Sequence, residues 1–211
     1  MGDMVILPSG EVLIINGAGL GSQGFNAASQ PVLNPVVYNP GKRIFTILQA
    51  TTIPRVYHST ANLLPDGRVL VAGSNTHQFY TFTGAFPTEL RVEAFSPPYL
   101  DKVYNARRPQ ITNAPARVRH GQTFTVVFTL TGTLTALEIN LLSSPFTTHS
   151  FAQGQRMLRL KLATAVRVAT NRYSVAITAP PGGNIALAAY YMLFPLTQGI
   201  PGSAAWIQVT N

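Results

Sequence analysis

Cysteine is absent from all 211 residues. Disulfide staples, thiolate metal ligands and thiol nucleophiles are therefore excluded within this chain. Charge is also sparse: Asp, Glu, Lys and Arg make up 10% of the sequence, with 7 acidic residues against 15 basic ones. Glu89, Glu93 and Asp101 do not pair plausibly for glycoside hydrolysis. Glu89 and Glu93 flank a strand-like run and read as surface salt-bridge partners. No apolar run approaches membrane-spanning length. The opening residues, Met1 to Pro8, lack the basic and long apolar regions of a signal peptide. Long amphipathic helical patterns are missing. Gly17-Ala18-Gly19-Leu20-Gly21 follows a strand pattern, but no helix pattern succeeds it, so it is not read as a phosphate loop.

What the chain has in quantity is glycine and proline, 17 and 16 residues, among apolar residues that alternate in short runs. This is the profile of a loop-rich all-β protein with enough length to bury a real core. Charge is uneven. Residues 1–107 hold seven Lys/Arg and six Asp/Glu; residues 108–211 hold eight Lys/Arg and one acid, Glu138. A basic module of this kind suits an acidic glycan or an acidic protein partner. The cations Arg156, Arg159, Lys161, Arg167 and Arg172 are spread singly and lack interleaved aromatics, so nucleic acid is not an expected partner. A solvated basic sheet face explains them better than nucleic-acid binding does.

Residues 4–16 and 61–73 repeat one unit: apolar strand, Pro-x-Gly turn, apolar strand. Pro8 aligns with Pro65, Gly10 with Gly67, Val12 with Val69 and Leu13 with Leu70, at an offset of 57. The Ser-Gly and Asp-Gly pairs at the turns are hairpin signals. A repeat of this length with an internal hairpin points to blades of a kelch-type β-propeller. Gly17–Leu33, poor in strand formers, reads as a long inserted loop, and such loops are often functional. Pro35–Pro40 and Leu90–Phe95 read as outer strands. About two blades cannot close a ring of at least about four, so the chain is expected to be the tail of a longer propeller protein or a truncated copy of one.

The pattern breaks in the proline-rich stretch Ser96–Pro109. About seven short strands follow it, which argues for an immunoglobulin-like β-sandwich. The expected division is therefore 1–107, partial propeller, and 108–211, immunoglobulin-like early-set domain. Trp206 reads as a core residue.

Four histidines are present: His58, His77, His120 and His149. No two have helical spacing, so any metal site must be assembled from distant loops. His77 reads as a loop-packing residue and His120 as an exposed turn residue. Tyr57 and His58 are adjacent, and neighbours on a regular strand face opposite ways. For both to reach one metal the backbone must bend there, and Pro54 favours an irregular entry. Taken alone, the pair is better explained by Tyr57 packing between blades and His58 bonding a carbonyl. His149, in the Ser/Thr-rich run after Pro145, is likewise explained by a bond to a neighbouring hydroxyl.

Several stretches together resemble the C-terminal portion of plant-type glyoxal oxidases, among the galactose-oxidase-like copper radical oxidases. They are Arg55–Asn75, with Arg55-Val56-Tyr57-His58-Ser59-Thr60 at its head, then Pro87–Leu100, Thr147–Arg156 and Tyr190–Phe194, in the family order. The resemblance implies a kelch propeller followed by an immunoglobulin-like domain, one of whose loops reaches the propeller axis. It implies a copper ion held by Tyr57, His58 and His149, with Tyr57 also the catalytic base. It further implies oxidation of small aldehydes or primary alcohols with O2, release of hydrogen peroxide, and an extracellular, apoplastic setting. The family's Tyr-Cys radical cofactor requires a cysteine, which this chain lacks. By this reading the chain keeps three copper ligands and is inactive alone. The alternative is a non-catalytic β module that binds an acidic glycan or a protein partner.

Overall fold

Each Pro-x-Gly turn closes an antiparallel hairpin because its glycine takes a backbone conformation that a Cβ resists. Gly10 and Gly67 have φ of 85° and 88°. In the computed structural model, which describes all residues from Met1 to Asn211, the first part of the chain forms nine strands. They are β1 (Asp3–Ile6), β2 (Val12–Ile15), β3 (Ala18–Gly21), β4 (Ala28–Pro31), β5 (Val36–Asn39), β6 (Ile44–Ile47), β7 (Thr60–Leu63), β8 (Val69–Ala72) and β9 (Val92–Phe95). Two antiparallel sheets result, in the orders β1-β2-β5-β6 and β7-β8-β9. The registers match the repeat: Val5 faces Leu13 in the first hairpin, and Asn62 faces Leu70 in the second.

Period-two alternation decides what these sheets bury. Val5, Leu13, Ile15 and Val37 from the first sheet and Ala61, Leu63, Val69 and Val71 from the second are buried. The stretch expected to be a loop, Gly17–Leu33, is instead largely a hairpin of its own, β3 against β4. Strand pairing is a backbone interaction, and the small residues permit it without favouring it. At Gly21, with φ of 92°, an added Cβ would lie 2.0 Å from the Ala27 carbonyl oxygen. That close approach is why glycine stands there.

The proline-rich stretch forms two 3-10 turns, Pro98–Leu100 and Lys102–Arg107. After it comes a two-sheet sandwich. One sheet joins Gln110–Asn113, Thr123–Thr129, Arg172–Thr178 and Lys161–Leu162, with Val166–Ala169 also on Arg172–Thr178. The other joins Arg117–Arg119, Ala205–Thr210, Ala189–Thr197, Leu137–Ser143 and Met157–Arg159. Its core is a single apolar cluster that includes Val126, Phe128, Ile139, Leu193 and Ile207. Trp206 is not part of it. It is 45% exposed, because Ile207 and Val209 take the inward positions of Ala205–Thr210 and alternation turns the indole outward.

Packing divides the chain into two units. The first holds residues 1–64, 68–95 and 145–155; the second holds 65–67, 96–144 and 156–211. The segment Pro145–Gln155 falls between two sandwich strands in sequence but packs within the first unit. No helix is long and apolar enough to cross a membrane.

Phe128 is fully buried and stacks on Tyr173 with ring centroids 5.6 Å apart. Phe128→Ala is expected to destabilise the second unit by about 3–5 kcal/mol. Urea unfolding followed by the fluorescence of Trp206, the chain's one tryptophan, reads this directly. In the first unit, Asp3 is 2% exposed, and its Oδ2 accepts a bond from Asn16 Nδ2 at 2.9 Å. Burial pushes its carboxyl up to about 6, against the Asn16 donation. The unfolded chain releases this proton near ~3.9 and the fold holds it to about 6. Stability is therefore lost as pH rises through that window. Asp3→Asn is expected to abolish this fall and to add about 1–3 kcal/mol at pH 7, as seen by thermal unfolding at pH 4 and pH 7.

Candidate metal centre

The run from Arg55 to Ser59 cannot form strand, because its backbone bonds are taken crosswise. Val56 N–H donates to the Ser74 hydroxyl at 3.0 Å, and Asn75 N–H donates to the Tyr57 carbonyl at 2.7 Å. Ser59 N–H and its hydroxyl both donate to the Val56 carbonyl, at 3.1 and 2.8 Å. This closes a tight turn over Val56–Ser59 with His58 at its third position, where φ is 62°. The turn supplies the bend that adjacent side chains need to share a face. The Tyr57 and His58 rings stack, with centroids 4.0 Å apart and planes inclined by 26°.

Arg55 anchors the turn from below. Its guanidinium is 2% exposed and donates to the Gly73 carbonyl and to Glu93 Oε2, each at 2.8 Å. Glu93 is therefore the partner of a buried cation, whereas Glu89 makes the surface pair, with Arg91. Arg91 draws the Glu89 carboxyl down to about 2.

His149 arrives from 91 positions further along the chain. Phe146–Thr148 pairs with Phe151–Gln153, closing on Thr148 opposite Phe151. The two-residue loop is His149-Ser150, with φ of 52° and 64°. Positive φ at both central positions is the mark of a type I′ hairpin turn, whose preferred occupants are Asn and Gly. A histidine and a serine here hold a costly conformation, and such strain concentrates at functional positions. The result places the His149 ring 5.3 Å from His58 and 5.9 Å from Tyr57, centroid to centroid.

Three of the residues singled out in the sequence thus meet, and two histidines do not. His77 is half-buried in the loop after β8, with its Nε2 buried and unpartnered. His120 is half-buried, not an exposed turn residue, and its Nε2 bonds the Ala186 carbonyl at 2.8 Å.

The chemistry of the cluster suits a metal. The phenol of Tyr57 and the imidazoles of His58 and His149 form an N,N,O donor set of the kind that Cu(II) accepts. Elsewhere no three His, Asp or Glu side chains come together as a metal cluster. Burial holds the His58 pKa below its ordinary value, and the charge of His149 adds to this. Neutral imidazole is the ligating form. The His149 Nδ1 shares a 2.8 Å hydrogen bond with the Thr148 hydroxyl, which leaves Nε2 available. A separate cavity of about 270 Å³, lined in part by Ile15, Gln49, Arg55 and Glu93, does not include the three rings.

One neighbour went unread in the sequence. Phe25, at the tip of the β3–β4 hairpin, stands edge-on to both Tyr57 and His58 with centroids 5.8 Å away. Asn26 N–H bonds the Thr76 carbonyl at 2.8 Å, and Gln23 Nε2 donates to the His149 carbonyl at 2.9 Å. The available signal was a lone aromatic in a stretch otherwise made of small and polar residues.

Comparison with known proteins agrees along the whole chain. Residues 1–99 match the family model "Glyoxal oxidase N-terminus", and residues 108–209 match "Galactose oxidase-like, Early set domain". Aldehyde oxidase GLOX of Vitis pseudoreticulata is 52% identical over 99% of this chain and 41% of its own length. Aldehyde oxidase GLOX1 of Arabidopsis thaliana is 44% identical over 99% of this chain and 35% of its own. A galactose oxidase of Gibberella zeae is 32% identical over 98% and 29%. Among solved structures, a fungal alcohol oxidase of the AA5 family in complex with copper superposes with a TM-score of 0.80 at 26% identity. It covers all of this chain, which matches 42% of that one. The chain thus spans about two fifths or less of the length of these relatives. With both family models and this run of identity along its length, the chain belongs to the glyoxal oxidase family of galactose oxidase-like proteins.

Proposed function

We propose that Tyr57, His58 and His149 are copper ligands and that the chain carries this part of a copper radical oxidase. The observation that carries the reading is the convergence of the three rings through two strained turns. Copper, when bound, supplies a one-electron couple and a Lewis acid for a coordinated oxygen. The residues' own work is to hold and to move protons. His58 and His149 donate through neutral imidazole. The Tyr57 oxygen, placed among them, accepts the proton of a substrate hydroxyl as general base. Phe25 packs edge-on against the Tyr57–His58 stack and helps to hold the two rings in place.

The net reaction of the full system converts a primary alcohol and O2 to an aldehyde and H2O2, or an aldehyde hydrate and O2 to a carboxylic acid and H2O2. Both require a second one-electron centre. The family's Tyr-Cys pair does not fit these 211 residues, which contain no cysteine. We therefore assign copper binding, and not turnover, to the chain by itself. The same reading divides the chain into a propeller part, 1–107, and an early-set part, 108–211, and gives it an extracellular setting. The excess of basic residues in 108–211 favours a second role, attachment to an acidic glycan. Salt-sensitive, copper-independent retention on an acidic polysaccharide column tests that role.

Titration of the metal-free chain with Cu(II) is expected to give one tight site. Its EPR spectrum should show two nitrogen ligands, with a phenolate-to-copper absorption band. His58→Ala and His149→Ala should each weaken binding by more than the roughly 10–100-fold that follows loss of a group that merely orients a ligand. Tyr57→Phe should abolish the absorption band. Unchanged affinity in all three variants would overturn the assignment. Incubated with a small aldehyde or primary alcohol, the copper-loaded chain should yield no catalytic peroxide; sustained turnover would refute the incomplete-site reading.

A further inference from the structure

We propose that Gln155 is the positioning residue that brings His149 to the Tyr57–His58 pair, by standing in for a neighbouring strand at the open edge of β1. This rests on the copper reading for its consequence but not for its geometry. β1 is the terminal strand of its sheet, paired on one side only, with β2. Its other edge carries backbone N–H and C=O groups that need partners once they are withdrawn from water. The Gln155 carboxamide meets two of them at once. Its Oε1 accepts from Ile6 N–H at 2.6 Å, and its Nε2 donates to the Met4 carbonyl at 3.0 Å. A donor and an acceptor two residues apart, on one strand edge, are what an adjacent strand residue would satisfy. A primary amide is a side chain with the same donor and acceptor pair.

The position of Gln155 gives this contact its leverage. It lies two residues beyond Phe151–Gln153, the returning strand of the hairpin whose tip is His149. The hairpin crosses from β1 to β7, where the Thr147 hydroxyl donates to Asn62 Oδ1 at 2.7 Å. Near the tip, Ser150 Oγ donates to the Met1 carbonyl at 2.6 Å. Gln155 grips β1 by two bonds just beyond the returning strand, as Thr147 on the outgoing strand grips β7 by two, to Asn62 Oδ1 and to the Ala61 carbonyl at 3.3 Å. Gln155 is not among the rings at the centre, and the hairpin it anchors is the one that carries His149. The strained His149-Ser150 turn requires such an outside anchor, because left-handed φ at both positions is not what these residues adopt unaided.

Gln155→Ala is expected to lower Cu(II) affinity by about 10–100-fold and to convert the two-nitrogen EPR pattern to a one-nitrogen pattern. Gln155→Glu keeps the acceptor for Ile6 but cannot donate to Met4, so it should fall between wild type and Gln155→Ala. In a His149→Ala background, Gln155→Ala should change copper affinity no further, because the two act as one unit. Without metal, NMR should show loss of the His149–Tyr57 ring contacts in Gln155→Ala, with faster exchange of the Ile6 amide. Trp206 fluorescence and far-ultraviolet circular dichroism confirm that the variants are folded. Wild-type affinity and ring contacts in Gln155→Ala would overturn the proposal. So would an equal loss of affinity in the presence and absence of His149, which marks a general structural effect. If wild type itself shows no two-nitrogen copper signal, the copper reading fails. The role of Gln155 is then decided by the metal-free ring contacts alone.

Discussion

The buried guanidinium of Arg55 is the constraint on which the centre depends. A cation that is 2% exposed must be paired, and its two bonds run to the Gly73 carbonyl after β8 and to Glu93 in β9. Removing Glu93, whose own side chain is 43% exposed, would leave the buried guanidinium with only the Gly73 carbonyl. The bonds therefore fix the chain two residues before Tyr57 relative to the segment Gly73–Asn75. That segment in turn holds Val56 and Tyr57 through Ser74 and Asn75. Side-chain ionic bonding and crosswise backbone bonding together replace the strand pairing that the turn gives up.

Both histidines of the centre occupy left-handed backbone positions, and each does so inside a turn over-determined by its surroundings. At His58 the cause is local: the Val56–Ser59 turn closes on its own hydrogen bonds. At His149 the cause is remote, since the hairpin tip is held through Gln23, Ser150 and Gln155 to parts of the chain far away in sequence. Rigid presentation of this kind suits a metal, because ligands fixed beforehand lose little freedom on binding. It also brings two imidazoles close enough to disfavour a charge on His58.

Much of the framework was legible. The Pro-x-Gly repeat located four of the inner strands, and alternation in Thr123–Thr129 located the sandwich core. The histidine assignments separated into two kinds. Tyr57, His58 and His149 were selected on a family resemblance, and they do converge. His120 was placed by its neighbouring glycine and came out half-buried against Ala186. Phe25 and the β3–β4 hairpin were missed because Gly17–Leu33 contains few strand-forming side chains, and pairing there is driven by backbone and by the needs of its neighbours. Trp206 was misplaced because size and hydrophobicity favour burial, while strand register had already given the inward places to Ile207 and Val209.

By itself the sequence determined the class of the strongly patterned strands, the absence of thiol chemistry and the residue types available to a metal. These depend on composition and on local periodicity, which are properties of neighbouring residues. Tertiary structure alone decided that a turn and a hairpin tip 91 positions apart would present three rings to one point. It also decided that an amide side chain, not a strand, would close the edge of β1. Convergence of that kind is set by the long-range bonds that hold each loop, and such bonds leave no period in the sequence to read.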